Sequence, residues 1–191
     1  GQNCIAAERV IVLDSVYERF MAELTAHASK LRQGVPQRGG NVDVGAITTP
    51  QQIKVIDTLV NDALQKGAKA VIGGAKRDIG NGTFYPPTIL TDLTPDMRIT
   101  REEIFGPVML VFKVRSEGEA IELANSTEFG LHSTVITSDR ERGRRLAAQL
   151  EAGATCINDF GLCYLNGDLP FGGVKYSGFG VMNGRDGLRA Y

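Results

Sequence analysis

Segments patterned as strands alternate with segments patterned as helices through most of this chain, and that alternation restricts the fold more than any single residue does. Residues 10–13 form a β-branched run. After them Tyr17, Phe20, Met21, Leu24, Ala28 and Leu31 recur at intervals of three and four, predicting a helix from a capping box of Ser15 and Glu18 as far as Gly34. Thr49 with Pro50 in the first turn opens a second helix, whose buried face is Ile53, Ile56, Leu59, Val60, Ala63 and Leu64 and which Gly67 closes. Strands are predicted at 69–72, 108–114, 133–137 and 155–158, with helices opened by Ser116 with Glu119 and by Asp139. Loops are expected at 34–41, with the Gly39-Gly40 pair, and at the turn Gly80-Asn81-Gly82. Pro86-Pro87 demotes any strand there to an edge or interrupts it, and the glycine-rich stretch from Asp159 onward reads as irregular. Strand, helix and returning strand in this order imply an α/β structure, three layers α/β/α with helices on both faces of a largely parallel sheet.

The 191 residues suffice for one domain with a substantial core. With 21 basic and 22 acidic side chains the net charge is -1, which gives no electrostatic case for nucleic acid or an anionic membrane and fits small neutral ligands better. The basic helix carrying Arg140, Arg142, Arg144 and Arg145 has no interleaved aromatics and reads as a solvated face. No apolar run approaches the roughly 18 residues that span a bilayer, and Gly1 opens on no signal-peptide pattern.

Three side-chain groups bear on chemistry. Cys4, in Gly1-Gln2-Asn3-Cys4, is read as a buried small hydrophobe, an incidental thiol, or a nucleophile competent as the thiolate. The small and apolar Ile5-Ala6-Ala7 after it permits a helix start that would aim N–H groups at the sulfur and favour an anion there. In Glu102-Glu103-Ile104-Phe105-Gly106-Pro107 the acids make either a solvated patch, with Phe105 as a core anchor, or a grip in which Glu103 and Phe105, two apart in an extended segment, share one side and hold a ribose and a flat ring. Cys4, Cys156 and Cys163 are odd in number and match no common zinc spacing, so a reducing compartment and no metal are expected; His27 and His132 are read as structural or solvent-exposed.

Gly-Gln-Asn-Cys at 1–4, Glu-Glu-Ile-Phe-Gly-Pro-Val at 102–108 and Pro-Phe-Gly-Gly-Val-Lys-Tyr-Ser-Gly at 170–178 resemble, in order and spacing, motifs of the aldehyde dehydrogenase superfamily. Phe-Gly-Leu at 129–131 and Gly-Leu-Arg-Ala-Tyr at 187–191 extend the likeness over essentially the whole chain. The resemblance implies an aldehyde dehydrogenase catalytic domain over 1–191, Rossmann-like in its layering, that oxidises an aldehyde to a carboxylic acid with NAD or NADP through a thiohemiacetal and a thioester. Cys4 matches the nucleophile, Glu103 the acid that hydrogen-bonds the nicotinamide ribose, and Phe105 the aromatic beside the nicotinamide. Phe171 matches a wall of the aldehyde tunnel, and Asn158 opens the variable stretch that shapes the pocket. The family's dinucleotide-binding half, with its oxyanion asparagine and glutamate base, has no counterpart in these residues. The resemblance therefore makes the chain the catalytic portion of a longer enzyme, inactive alone, whose partners are that upstream domain and further copies in a homo-oligomer. Leu-Pro-Phe-Gly-Gly-Val-Lys with Ser-Gly-Phe-Gly leans towards a eukaryotic subgroup with an upstream membrane anchor. The rival readings are a cysteine esterase or acyltransferase using His27 or His132, and a non-catalytic interaction module that keeps the fold.

Overall fold

The computed structural model describes residues 1–38, 40–77, 79 and 82–191. The expected Gly39-Gly40 pair and the turn at 80–82 thus lie partly outside the described residues. The sequence reading counts one domain; the described contacts divide the chain into two compact units, Gly1–Arg115 and Ser116–Tyr191.

The first unit is built on four strands, β1 (Arg9–Leu13), β2 (Lys69–Ile72), β3 (Thr88–Thr91) and β4 (Val108–Val114), in the order β1-β4-β3-β2. β1 and β3 both run parallel to the central β4, and β2 joins antiparallel at the edge, so the sheet is mixed and mostly parallel. Both faces of its middle are buried. Ile89 and Val111 meet one apolar cluster, and the alternating Leu90, Leu110 and Phe112 are buried on the other side, as the period of two requires. Pro86 and Pro87 stand just before β3 and outside its ladder, so β3 is central: the prolines interrupt the extended run and do not demote it to an edge.

α1 (Asp14–Ala28) lays Tyr17, Phe20, Met21, Leu24 and Ala28 against Val12, Ile89 and Val111. Its ends differ from the sequence reading. The chain passes straight from β1 into the helix with Leu13 as the N-cap and no side-chain cap, so the box of Ser15 and Glu18 does not form; Asp14 and Glu18 pair with Lys113 of β4 instead. The helix stops at Ala28 and not at Gly34. Arg32 is held away from the helical path by Asp43, which accepts its Nε at 2.8 Å, its Nη2 at 3.0 Å and its backbone N–H at 2.9 Å. That guanidinium holds the Asp43 carboxyl down at about 2.

α2 (Pro50–Gln65) follows expectation: the Thr49 hydroxyl accepts the Gln52 N–H at 3.2 Å, and Ile53, Ile56, Leu59, Val60 and Ala63 are buried. Gly67, at φ +102, supplies the left-handed residue that ends it. A 3-10 turn, Arg98–Thr100, then leads towards β4.

The second unit opens with α3 (Glu117–Asn125), capped by Ser116, and contains α4 (Arg140–Ala147), capped by Asp139 through the N–H groups of Glu141 and Arg142. β6 (His132–Val135) pairs in parallel with β7 (Ala154–Ile157), while β5 (Phe129–Gly130) pairs antiparallel with β8 (Val174–Lys175). The stretch after Asp159, read as irregular, is organised: it holds α5 (Leu162–Leu165), β8 and α6 (Gly184–Arg189). The Lys175 ammonium anchors it by donating to the carbonyls of Asn125 at 2.8 Å and Thr127 at 3.0 Å and by pairing with Glu151. No described helix is long and apolar enough to cross a membrane.

Candidate active site

Cys4 is exposed, on a turn that precedes β1. No helix starts there, contrary to the sequence reading. The Asn3 side chain accepts the N–H of Ile5 at 3.0 Å and its carbonyl accepts the N–H of Ala6 at 2.9 Å, so Asn3 takes up the first N–H groups after the cysteine. Only four residues then separate Cys4 from the start of β1, too few for a helix that could compete with the strand.

Fixed points on either side hold the turn. Before it, the Gln2 side-chain oxygen accepts from the backbone N–H and the hydroxyl of Thr48 at 2.8 and 2.9 Å, and its amide donates to the Ala46 carbonyl at 3.1 Å. Gly1 packs so closely on the 102–107 segment that a Cβ there would lie 1.7 Å from the Gly106 carbonyl oxygen. After it, Glu8 reaches the same segment: one carboxylate oxygen accepts the N–H of Ile104 at 3.0 Å, the other that of Phe105 at 2.7 Å. The nucleophile candidate and the Glu103/Phe105 candidates thus sit on two stretches of backbone bound to each other. Glu8 is a residue the sequence reading passed over as the run-in to a strand.

Within that segment buried and exposed residues alternate. Ile104 and Gly106 are buried, Glu103 is exposed and Phe105 half-buried. The two site candidates are thus the more exposed positions of the alternation, but the backbone is not extended as the sequence reading assumed: Phe105 has φ +49, in the left-handed region that non-glycine residues avoid. Four contacts hold this conformation: the two bonds to Glu8, the Gln52 amide donating to the Ile104 carbonyl at 2.7 Å, and the close approach of Gly106 to α2. A Cβ on Gly106 would meet Ile56 Cδ1 at 2.4 Å in a fully buried position. Gly106→Ala is expected to destabilise the chain by about 1–3 kcal/mol through overpacking, with Ile56→Val recovering part of the loss in urea denaturation.

The two adjacent acids have different fates. Glu102 pairs with Arg98 at 2.6 Å, which holds its carboxyl below the usual range. Among the described residues Glu103 has no hydrogen-bond or ion-pair partner, which leaves its oxygens free to accept from a ligand. Glu8 differs again: burial pushes its carboxyl above the usual range, and the two backbone N–H bonds offset this only in part.

Asn158 and Phe171 belong to the second unit. Asn158, at φ +55 just after β7, accepts the Thr137 N–H at 2.8 Å and donates to the Thr137 carbonyl at 2.7 Å, so its side chain ties together the ends of two parallel strands. Phe171 is 3% exposed, exchanges backbone bonds with Met182 at 2.8 and 2.7 Å, and meets the Tyr164 ring edge to face with centroids 5.2 Å apart. Of the histidines, His27 is exposed in the last turn of α1, and His132 is half-buried on β6.

The model of the family described as "Aldehyde dehydrogenase family" matches residues 1–191. The chain is 43% identical over 180 residues to a succinate-semialdehyde dehydrogenase [NADP(+)] of Deinococcus radiodurans, covering 94% of this chain and 37% of that protein. Among solved structures, it superposes with a TM-score of 0.92 on succinic semialdehyde dehydrogenase from Streptococcus pyogenes in complex with NADP+, at 37% identity over 98% of this chain and 40% of that one. With betaine aldehyde dehydrogenase from Staphylococcus aureus in complex with NAD+ the TM-score is 0.91, at 33% identity over all of this chain and 38% of that one. The chain thus spans about two fifths of the length of these relatives. With a family match over all of its residues and this agreement in backbone, the chain belongs to the aldehyde dehydrogenase family.

Proposed function

We propose that this chain is the catalytic portion of a longer NAD(P)-dependent aldehyde dehydrogenase, with Cys4 as the nucleophile. The observation that carries the reading is the Glu8 clamp, which binds the stretch just after an exposed thiol to a segment presenting a free carboxylate and a strained aromatic residue. NADP+ and NAD+ are bound by the relatives above, and an unpaired acceptor, Glu103, next to the half-buried ring of Phe105 fits the hydroxyls of a ribose and the face of a nicotinamide.

In this mechanism the Cys4 thiolate adds to the aldehyde carbonyl carbon, giving a thiohemiacetal whose oxygen carries the charge. When bound, the cofactor supplies the acceptor for the hydride that leaves this carbon. With the cofactor bound, Glu103 would hold the ribose by accepting from its hydroxyls and Phe105 would set the ring plane, so placement of the ring would depend on the backbone conformation that Glu8 holds. The thioester left on Cys4 is hydrolysed by water, returning the thiol and releasing a carboxylic acid. By their match to the family's motifs, Phe171 and the stretch opened by Asn158 are assigned to shaping the aldehyde's choice, and Tyr164 backs the Phe171 ring. The oxyanion donor, the water-activating base and the phosphate cradle are assigned to the rest of such an enzyme, and Gly1–Tyr191 alone is proposed to be inactive.

In the full-length enzyme, Glu103→Gln is expected to slow single-turnover hydride transfer about tenfold or more while total cofactor affinity changes less, since one acceptor oxygen is lost at the reacting end only. Stopped-flow formation of reduced cofactor measures this; an unchanged rate removes Glu103 from the role.

A further inference from the structure

The parallel pairing of β6 with β7 sets Thr134 opposite Cys156, so His132, two residues before Thr134, projects from the same face of the ribbon as Cys156. The chain then folds back over this face. Asp159 Oδ1 accepts the N–H groups of Gly161 at 2.9 Å and Leu162 at 2.7 Å, and the Asp159 carbonyl accepts the Thr134 hydroxyl at 2.8 Å. That fold delivers Cys163, on α5, to the same place. One ligand atom from each of His132, Cys156 and Cys163 lies within 4.8 Å of the other two. Residues 31 positions apart in sequence thus form a cluster that no local cysteine spacing could announce.

We propose that His132, Cys156 and Cys163 form a site for a thiophilic divalent cation, Zn2+ in the first instance, with a fourth position open to water. Two thiolates and an imidazole are a donor set that zinc accepts, and bond lengths of about 2.0–2.3 Å put such donors roughly 3.3–3.8 Å apart, inside the 4.8 Å within which all three lie. A second observation points the same way: His132 Nε2 is buried and has no hydrogen-bond partner among the described residues, which calls for an explanation. The Phe160 ring holds the imidazole in a T-shaped contact, at 5.7 Å between centroids and 87° between planes.

Both cysteines are half-buried and free of disulfide. Burial, and then the hydrogen bond with Cys156, raise the Cys163 thiol to about 11. Thiolate ligation exchanges protons for metal: each S–H bond broken is replaced by one S–Zn bond, and its proton passes to the buffer. The bound cation would fasten α5 to the β6/β7 ribbon. Because Tyr164 on α5 packs on Phe171, the wall formed by those rings would stiffen with it. This inference does not depend on the aldehyde chemistry.

The test uses the purified, reduced Gly1–Tyr191 chain carrying Cys4→Ser, freed of metal by a chelator and titrated with Co2+ as a spectroscopic stand-in for Zn2+. One Co2+ per chain, a thiolate-to-cobalt charge-transfer band that Zn2+ abolishes, and proton release on binding are expected. Cys163→Ser or His132→Ala should weaken binding more than about tenfold, and His27→Ala should leave it unchanged. Absence of the band in the reduced chain overturns the proposal, as does a band that survives Cys156→Ser combined with Cys163→Ser.

Discussion

Cys4→Ser in the full-length enzyme is expected to lower aldehyde oxidation by about a thousandfold or more, at least about 4 kcal/mol of transition-state stabilisation, with cofactor affinity unchanged. A hydroxyl of the same shape fills the turn, so the loops anchored by Gln2 and Glu8 should stay in place. What changes is the nucleophile. At neutral pH a serine is almost never ionised and has no general base described beside it, while a cysteine has an accessible thiolate fraction and a sulfur that attacks carbonyl carbon readily. Cys4 is the exposed member of the three cysteines, so iodoacetamide should label it first, and labelling and activity should be lost together. A correctly folded Cys4→Ser enzyme with near-normal turnover refutes the assignment, and the cysteine hydrolase reading falls with it. Esterase turnover that needs Cys4 but no nicotinamide would favour that rival.

Elements whose signals are local were legible in the sequence. β4 was readable from its apolar run, α2 from Thr49, Pro50 and its period, and α3 and α4 from caps that do form. Signals failed where a distant partner outbid the local one. Ser15 and Glu18 make a good capping box in isolation, yet the helix is entered directly from β1 and Lys113 takes the acids. The stretch after Asp159 looked irregular because β8 is two residues long and is held by Lys175 reaching carbonyls some 50 positions earlier. The same holds for the site. Cys4, Glu103 and Phe105 were singled out through motifs, whereas the Glu8 contacts span 96 and 97 positions, and His132 meets Cys156 and Cys163 across 24 and 31. Cysteine spacing, on which the expectation of no metal rests, sees side chains on one loop and does not register a grouping made across a strand pair.

Glu8→Gln tests whether the clamp serves catalysis or folding alone. The carboxylate accepts one N–H on each oxygen; the amide keeps one acceptor and turns an NH2 group towards the other N–H, orphaning a donor at a cost of about 1–3 kcal/mol. Phe105 at φ +49 then loses part of what holds it in an unfavourable backbone region. The expected result in the full-length enzyme is a fall of about tenfold to a hundredfold in single-turnover hydride transfer, with cofactor affinity moving far less, because the ring is misplaced without being released. The pH dependence has a definite sign. Burial raises the Glu8 carboxyl above its unfolded value, so the folded chain holds this proton more tightly than the unfolded chain does. Its titration therefore contributes stability that is complete below the unfolded pKa and is lost as pH rises through the raised folded value. The stability gap between wild type and Glu8→Gln should widen as pH falls from neutral into the carboxylate range, opposite to the trend for a carboxyl held low, such as Asp43. Urea denaturation of both chains across that range measures the gap, and a gap that narrows on acidification contradicts the burial argument. A Glu8→Gln enzyme that unfolds earlier yet transfers hydride at the wild-type rate would make the clamp structural only and leave the placement of Phe105 to Gln52 and Gly106.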